Sequence, residues 1–221
     1  MTERITTRLV LLPGLGADAR LFDAQRERFA NIEVPPWLPN RDGETLADYA
    51  ARMARTVDSS QPFYLGGVSF GGMVAQEMAR HLPAAGVFMI ATCRSGRCIA
   101  PHLRYFAQFS RILPRRTFEV GQCLSSLFVK KFGDLSEDQR HDFESMLDGV
   151  CPDFVRWGII AITAWPGDVP LSMPVHHIHG ADDQLIPVKN VQPDEIVPGG
   201  GHLINVTHAD AVNRFIANRL T

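Results

Sequence analysis

Ser69 stands midway between Gly67 and Gly71 in the run Gly66-Gly67-Val68-Ser69-Phe70-Gly71-Gly72. A serine hydroxyl is a poor nucleophile near neutral pH unless a base takes its proton and a carboxylate orients that base. Both partners follow later in the chain, in the order Ser, Asp, His. Asp182 and Asp183 lie in Gly180-Ala181-Asp182-Asp183-Gln184-Leu185-Ile186-Pro187, and His202 closes Pro198-Gly199-Gly200-Gly201-His202. Three such groups could run acyl transfer through a covalent intermediate. The oxyanion formed on the way needs fixed donors, and the backbone N–H of Phe70, at the start of a helix, is the first candidate.

The serine is informative because of what flanks it. Phe63-Tyr64-Leu65 reads as a strand and Met73 to Ala79 as a helix, so Ser69 falls on a sharp strand-to-helix turn. That geometry strains the backbone, pushes the hydroxyl above the sheet and leaves no room for a Cβ two residues to either side. Further strands are expected at Arg8–Leu12, Ile32–Val34, Val87–Thr92, Val175–His179 and Glu195–Val197. Helices are expected at Ala19–Phe29, Leu46–Val57, Phe70–His81 and Ala209–Arg219. Near-continuous apolar strands alternating with helices predict an α/β fold: a doubly wound, mainly parallel sheet of about six strands. Ser69, the Asp pair and His202 each fall just past the carboxyl end of a strand, on one common edge, where such sheets bind ligands.

One stretch breaks the alternation. From about Arg94 to Asp168 only helical patterns occur, with an N-cap signal at Ser136-Glu137-Asp138-Gln139 and an apolar helix over Asp153–Trp165. It reads as a helical cap inserted before the fifth strand, about 94–168, within a single domain spanning 1–221. Its large apolar residues, Phe106, Phe109, Ile112, Leu113, Phe118, Leu124, Leu127, Phe128 and Phe132, are expected to pack the cap and in part to wall a pocket.

With 221 residues, 45% hydrophobic, 21% charged and a net charge of −2, the chain has enough apolar sequence for a full core and no charge excess suited to nucleic acid or an anionic membrane. It holds no apolar run of about 20 residues, and Met1 to Arg8 lacks the apolar stretch of a secretory signal. A cytoplasmic protein without a membrane partner is therefore expected. Cys93, Cys98, Cys123 and Cys151 contain no C-x-x-C pair, so reduced thiols are expected over a zinc or redox site.

Taken together, Leu12-Pro13-Gly14-Leu15-Gly16, Gly67-Val68-Ser69-Phe70-Gly71-Gly72, His179-Gly180-Ala181-Asp182-Asp183 with Pro187, and Gly201-His202 resemble the α/β-hydrolase superfamily over nearly the whole chain. The resemblance implies Ser69 as nucleophile, His202 as base and, from the family's G-x-x-D-x-x-x-P frame, Asp183 rather than Asp182 as acid. It adds the N–H of Leu15 as the second oxyanion donor beside Phe70. It implies a missing or vestigial N-terminal hairpin and a small-molecule ester or thioester as substrate; no cofactor and no metal are expected. Short to medium carboxylic esters are the expectation. Thioesterase, C–C hydrolase, acyltransferase and hydroxynitrile lyase chemistries stay open, as does a non-catalytic receptor on the same fold.

Two other patterns compete. Gly14-Leu15-Gly16-Ala17-Asp18-Ala19 fits a dinucleotide fingerprint, but Pro35-Pro36-Trp37 stands where a ribose-binding acid should follow the second strand. His176, His177 and His179 suggest a metal, yet strand alternation puts His176 on the opposite face from the other two, so three ligands cannot converge.

Overall fold

The computed structural model describes residues 4–102, 104–105 and 132–220. Six parallel strands form one sheet: β1 (Leu9–Leu12), β2 (Ile32–Glu33), β3 (Tyr64–Val68), β4 (Val87–Ile90), β5 (Val175–Gly180) and β6 (Glu195–Val197), in the order β2-β1-β3-β4-β5-β6. All six lie where the apolar runs predict them. Ahead of β1 there is only a single parallel bridge, Ile5 to Phe29, among the described residues.

The strands are apolar throughout because both faces of the sheet are covered. On β1, Val10 and Leu12 face one layer while Leu9 and Leu11 face the other, and all four are fully buried. The first layer holds α2 (Leu46–Ala54), α3 (Phe70–Met78) and, beyond them, α5 (Pro152–Ala164). The second holds α4 (Glu137–Asp148), α6 (Ile204–Thr207), α7 (Ala209–Ala217) and the turn at Ala19–Phe22. Helix α2 buries Leu46, Tyr49, Ala50, Met53 and Ala54, the i, i+3, i+4, i+7, i+8 stripe of a helix laid on a core. Thr45 caps it by accepting from the Asp48 N–H at 3.2 Å. Ser136 and Gln139 close a capping box on α4, a device that contributes about 1 kcal/mol.

The stretch Ala19–Phe29 differs from the single helix expected of it. A 3₁₀ turn, Ala19–Phe22, runs into a four-residue α1 (Asp23–Arg26). The Arg28 and Phe29 N–H groups then both reach the Gln25 carbonyl, at 3.1 and 2.9 Å, delivering Phe29 to its bridge with Ile5. Between β4 and β5 the regular elements among the described residues are helices, and α5 packs on the layer of α2 and α3. Its two indoles fasten it there: Trp157 donates to the Glu44 carbonyl at 2.9 Å and Trp165 to the Glu77 carboxylate at 2.7 Å. Most of the apolar cap residues, Phe106 through Phe128, lie outside the described residues, as does Cys123. No helix among the described residues is long and apolar enough to cross a membrane.

The turn from β3 into α3 is the tightest point of the fold. A Cβ on Gly67 would stand 2.6 Å from the Gly71 carbonyl oxygen, and one on Gly71 would run into the carbonyls of Leu12 and Pro13. Those obstacles are backbone and cannot rotate away. Gly71→Ala is therefore expected to destabilise the protein by about 3 kcal/mol or more, at the upper end of overpacking costs, and to lower the midpoint in a thermal melt accordingly. An unchanged melt would mean that β1 and α3 can separate without cost.

Candidate active site

Ser69 adopts φ 54° and ψ −120°, a left-sided conformation unusual for a residue with a Cβ. The strain is held by its surroundings. The Ser69 N–H donates to the Ile90 carbonyl at 3.0 Å, and the Thr92 hydroxyl donates to the Ser69 carbonyl at 2.6 Å. Ser69 is half-buried, so its hydroxyl remains reachable, whereas His202 and Asp183 are buried.

The three expected side chains meet. The Ser69 hydroxyl lies 2.8 Å from His202 Nε2, and His202 Nδ1 lies 2.7 Å from Asp183 Oδ2. A carboxylate can only accept, so Nδ1 carries the proton and the Nε2 lone pair faces the serine. Asp183 Oδ1 accepts two more bonds, from the N–H groups of Leu185 at 2.8 Å and Ile186 at 2.9 Å. Burial opposes ionisation of Asp183, but the charge of His202 and the bonds from His179, His202 and Ile186 outweigh it and hold the carboxyl below its ordinary range. Asp182, the alternative acid, is exposed. His208 sits at the N-terminus of α7 with its Nδ1 2.9 Å from the Thr207 hydroxyl.

The donors expected for an oxyanion fall on the same edge. Phe70 is the first residue of α3, so its N–H has no partner within the helix. Gly14 lies beside Ser69, where a Cβ would stand 3.8 Å from that of the serine, and Leu15 follows it. The Leu15 side chain in turn touches α5, where a Cβ on Gly158 would come within 2.5 Å of it.

Several neighbours were not legible in the sequence. The Phe70 ring stacks obliquely on Trp37 (centroids 5.3 Å apart) and edge-on against Phe154 and Trp157 (both 6.1 Å), an aromatic cluster in the core next to Ser69. Phe132 lies T-shaped against the buried His202 ring at 5.7 Å while its carbonyl takes the Leu203 N–H at 3.0 Å. His177 and His179 share one face of β5, as alternation requires: His179 Nε2 stands 3.3 Å from Asp183 Oδ2, and His177 Nε2 lies behind it, 3.2 Å from His179 Nδ1. Among the described residues no cluster of three or more metal-type ligands occurs. The loop after β4, Cys93-Arg94-Ser95, brings no carboxylate to the site. Its Cys93 and Cys98 are free thiols sharing a hydrogen bond, which raises Cys93 and lowers Cys98 to about 6. A separate open groove of about 1120 Å³ runs along α5 past Arg41, Glu44, Arg156 and Trp157, and none of Ser69, Asp183 or His202 lines it.

Comparison with known proteins agrees with this architecture. Residues 9–215 match the model of the alpha/beta hydrolase family, and the chain belongs to that family. An esterase from Thermogutta terrifontis superposes with a TM-score of 0.73 at 18% identity, over 97% of this chain and 89% of that one. A lipase-esterase related protein from Clostridium acetobutylicum does so with 0.73 at 16%, over 99% and 98%. At such identities the likeness is one of fold. In sequence, a protein from Synechocystis sp. named "Putative non-heme chloroperoxidase" is 39% identical over 71 residues, which span 27% of this chain and only 25% of that relative.

Proposed function

We propose that this chain is a serine hydrolase that cleaves small to medium carboxylic esters through an acyl-enzyme. The observation that carries the reading is the unbroken chain of contacts from Ser69 Oγ through His202 to Asp183, at 2.8 and 2.7 Å. His202 Nε2 takes the hydroxyl proton as Ser69 Oγ attacks the ester carbonyl. Asp183 holds the imidazole in the one tautomer that leaves Nε2 free, and steadies the imidazolium as it forms. The N–H groups of Phe70 and Leu15 receive the oxyanion. His202 then passes its proton to the leaving alcohol, and water, deprotonated by the same nitrogen, releases the acid and restores the hydroxyl.

The apolar residues next to Ser69, Phe70 in sequence and Leu15 in the loop after β1, favour an apolar acyl or alcohol group close to the nucleophile. Each methylene buried there adds about 0.8 kcal/mol, or roughly fourfold in kcat/KM. A p-nitrophenyl ester series from acetate to palmitate is expected to rise over the short chains and peak below twelve carbons. A peak at twelve or beyond, with interfacial activation, would mark a lipase instead. The same panel run with acyl-CoA substrates separates the esterase from a thioesterase, since turnover of acyl-CoA alone would reassign the leaving group.

A further inference from the structure

His179 reaches the candidate triad from behind. It lies on β5, fully buried, and its Nε2 stands 2.8 Å from the Ile186 carbonyl and 3.3 Å from Asp183 Oδ2. A carbonyl oxygen has no proton to give, so Nε2 of His179 is the donor. That one N–H therefore spans both ends of the turn from Asp183 to Ile186. The other ring nitrogen is 3.2 Å from His177 Nε2, with the two rings at 89°. Burial pushes His177 down to about 3, so it remains neutral behind His179. The result is a continuous buried run from His177 through His179, Asp183 and His202 to Ser69.

We propose that His179 is a positioning residue for this site: it clamps the Asp183–Ile186 turn and takes up part of the Asp183 charge that His202 would otherwise feel alone. The inference rests on the reading of Ser69 as nucleophile. Leu185 and Ile186 hydrogen-bond Asp183 Oδ1, His202 holds Oδ2 at 2.7 Å, and His179 Nε2 stands 3.3 Å from the same Oδ2. The other titratable or charged groups facing this run are Cys93 and Arg94 from the loop after β4 and Asp194, which accepts the His177 backbone N–H at 2.7 Å. None of them donates to Oδ2 in the place of His179. With His179 gone, Oδ2 carries more charge toward His202 Nδ1 and favours the imidazolium. Such a base is neutral only at higher pH.

The test compares three variants on a short-chain p-nitrophenyl ester. His179→Phe keeps bulk and removes the donor, His179→Gln places an amide N–H near the position of Nε2, and His179→Asn is too short to reach Oδ2. In His179→Phe and His179→Asn, kcat is expected to fall about tenfold, the scale of one hydrogen bond to a charged group, with KM held within about twofold. The acid limb of kcat/KM should move to higher pH in both, and His179→Gln should restore rate and limb. Proton NMR gives a readout that needs no turnover. The downfield His202 Nδ1–H resonance, assigned by its loss in His202→Ala, should shift further downfield in His179→Phe or His179→Asn. Wild-type kcat in those variants, or a fall in kcat with limb and resonance unmoved, overturns the proposal. If the wild type hydrolyses no ester, the functional reading fails, and the resonance still decides the role of His179.

Discussion

Replacing Ser69 by Ala is expected to abolish ester hydrolysis while leaving the fold intact. The substitution removes one oxygen and keeps the Cβ that the strained turn already accommodates, with the Ile90 carbonyl and the Thr92 hydroxyl still holding the backbone. What disappears is the atom that attacks and the 2.8 Å bond that activates it. Knocking out the nucleophile of such a constellation costs about 10⁶-fold in kcat, the remaining rate coming from binding and the oxyanion donors. Burst titration with a p-nitrophenyl ester should show one equivalent of nitrophenol from the wild type and none from Ser69→Ala, with superimposable thermal melts. Comparable turnover by the variant would remove Ser69 from the mechanism and with it the whole functional reading.

Burial explains which features the sequence discloses. All six strands were legible because a parallel sheet covered on both faces needs apolar residues at every position, as in Leu9–Leu12, and such runs stand out against amphipathic helices. The turn at Ser69 was legible because it needs glycines at fixed offsets, and those needs arise from backbone atoms a few residues away. Ala19–Phe29 misled because Leu21, Phe22, Gln25 and Phe29 are buried at helical spacing, yet the first two lie in a 3₁₀ turn, Gln25 in a four-residue helix and Phe29 in the bridge to Ile5. His177 and His179 were placed correctly on one face of β5. The approach of His179 to Asp183 was invisible because it depends on how tightly the chain turns back between Asp183 and Ile186. The aromatic cluster was hidden for a similar reason: Trp37, Phe70, Phe154 and Trp157 come from three separate stretches of the chain that only the tertiary fold brings together.

Asp183→Asn is expected to lower kcat/KM by about 10⁴-fold, because it forces the wrong tautomer on the base. The amide cannot choose its orientation freely. The N–H groups of Leu185 and Ile186 both point at the Oδ1 position, at 2.8 and 2.9 Å, and so demand the amide oxygen there. The NH₂ is then turned toward His202 Nδ1 and His179 Nε2. To accept from it, His202 must give up its Nδ1 proton and carry one on Nε2, which blocks removal of the Ser69 proton. Asp182→Asn, at an exposed position one residue away, should stay within about threefold of wild type. The two variants should also differ in acid stability. The Asp183 carboxyl is held below its ordinary range in the folded state, so its contribution to stability is present above the usual carboxylate pKa and is lost as pH falls through the lowered one. Asp183→Asn removes that dependence, and its denaturation midpoint should therefore fall less steeply than the wild type's on acidification below about pH 4. A larger rate loss in Asp182→Asn than in Asp183→Asn would place the acid one residue earlier, and the turn at 183–186 would then have to be structural alone.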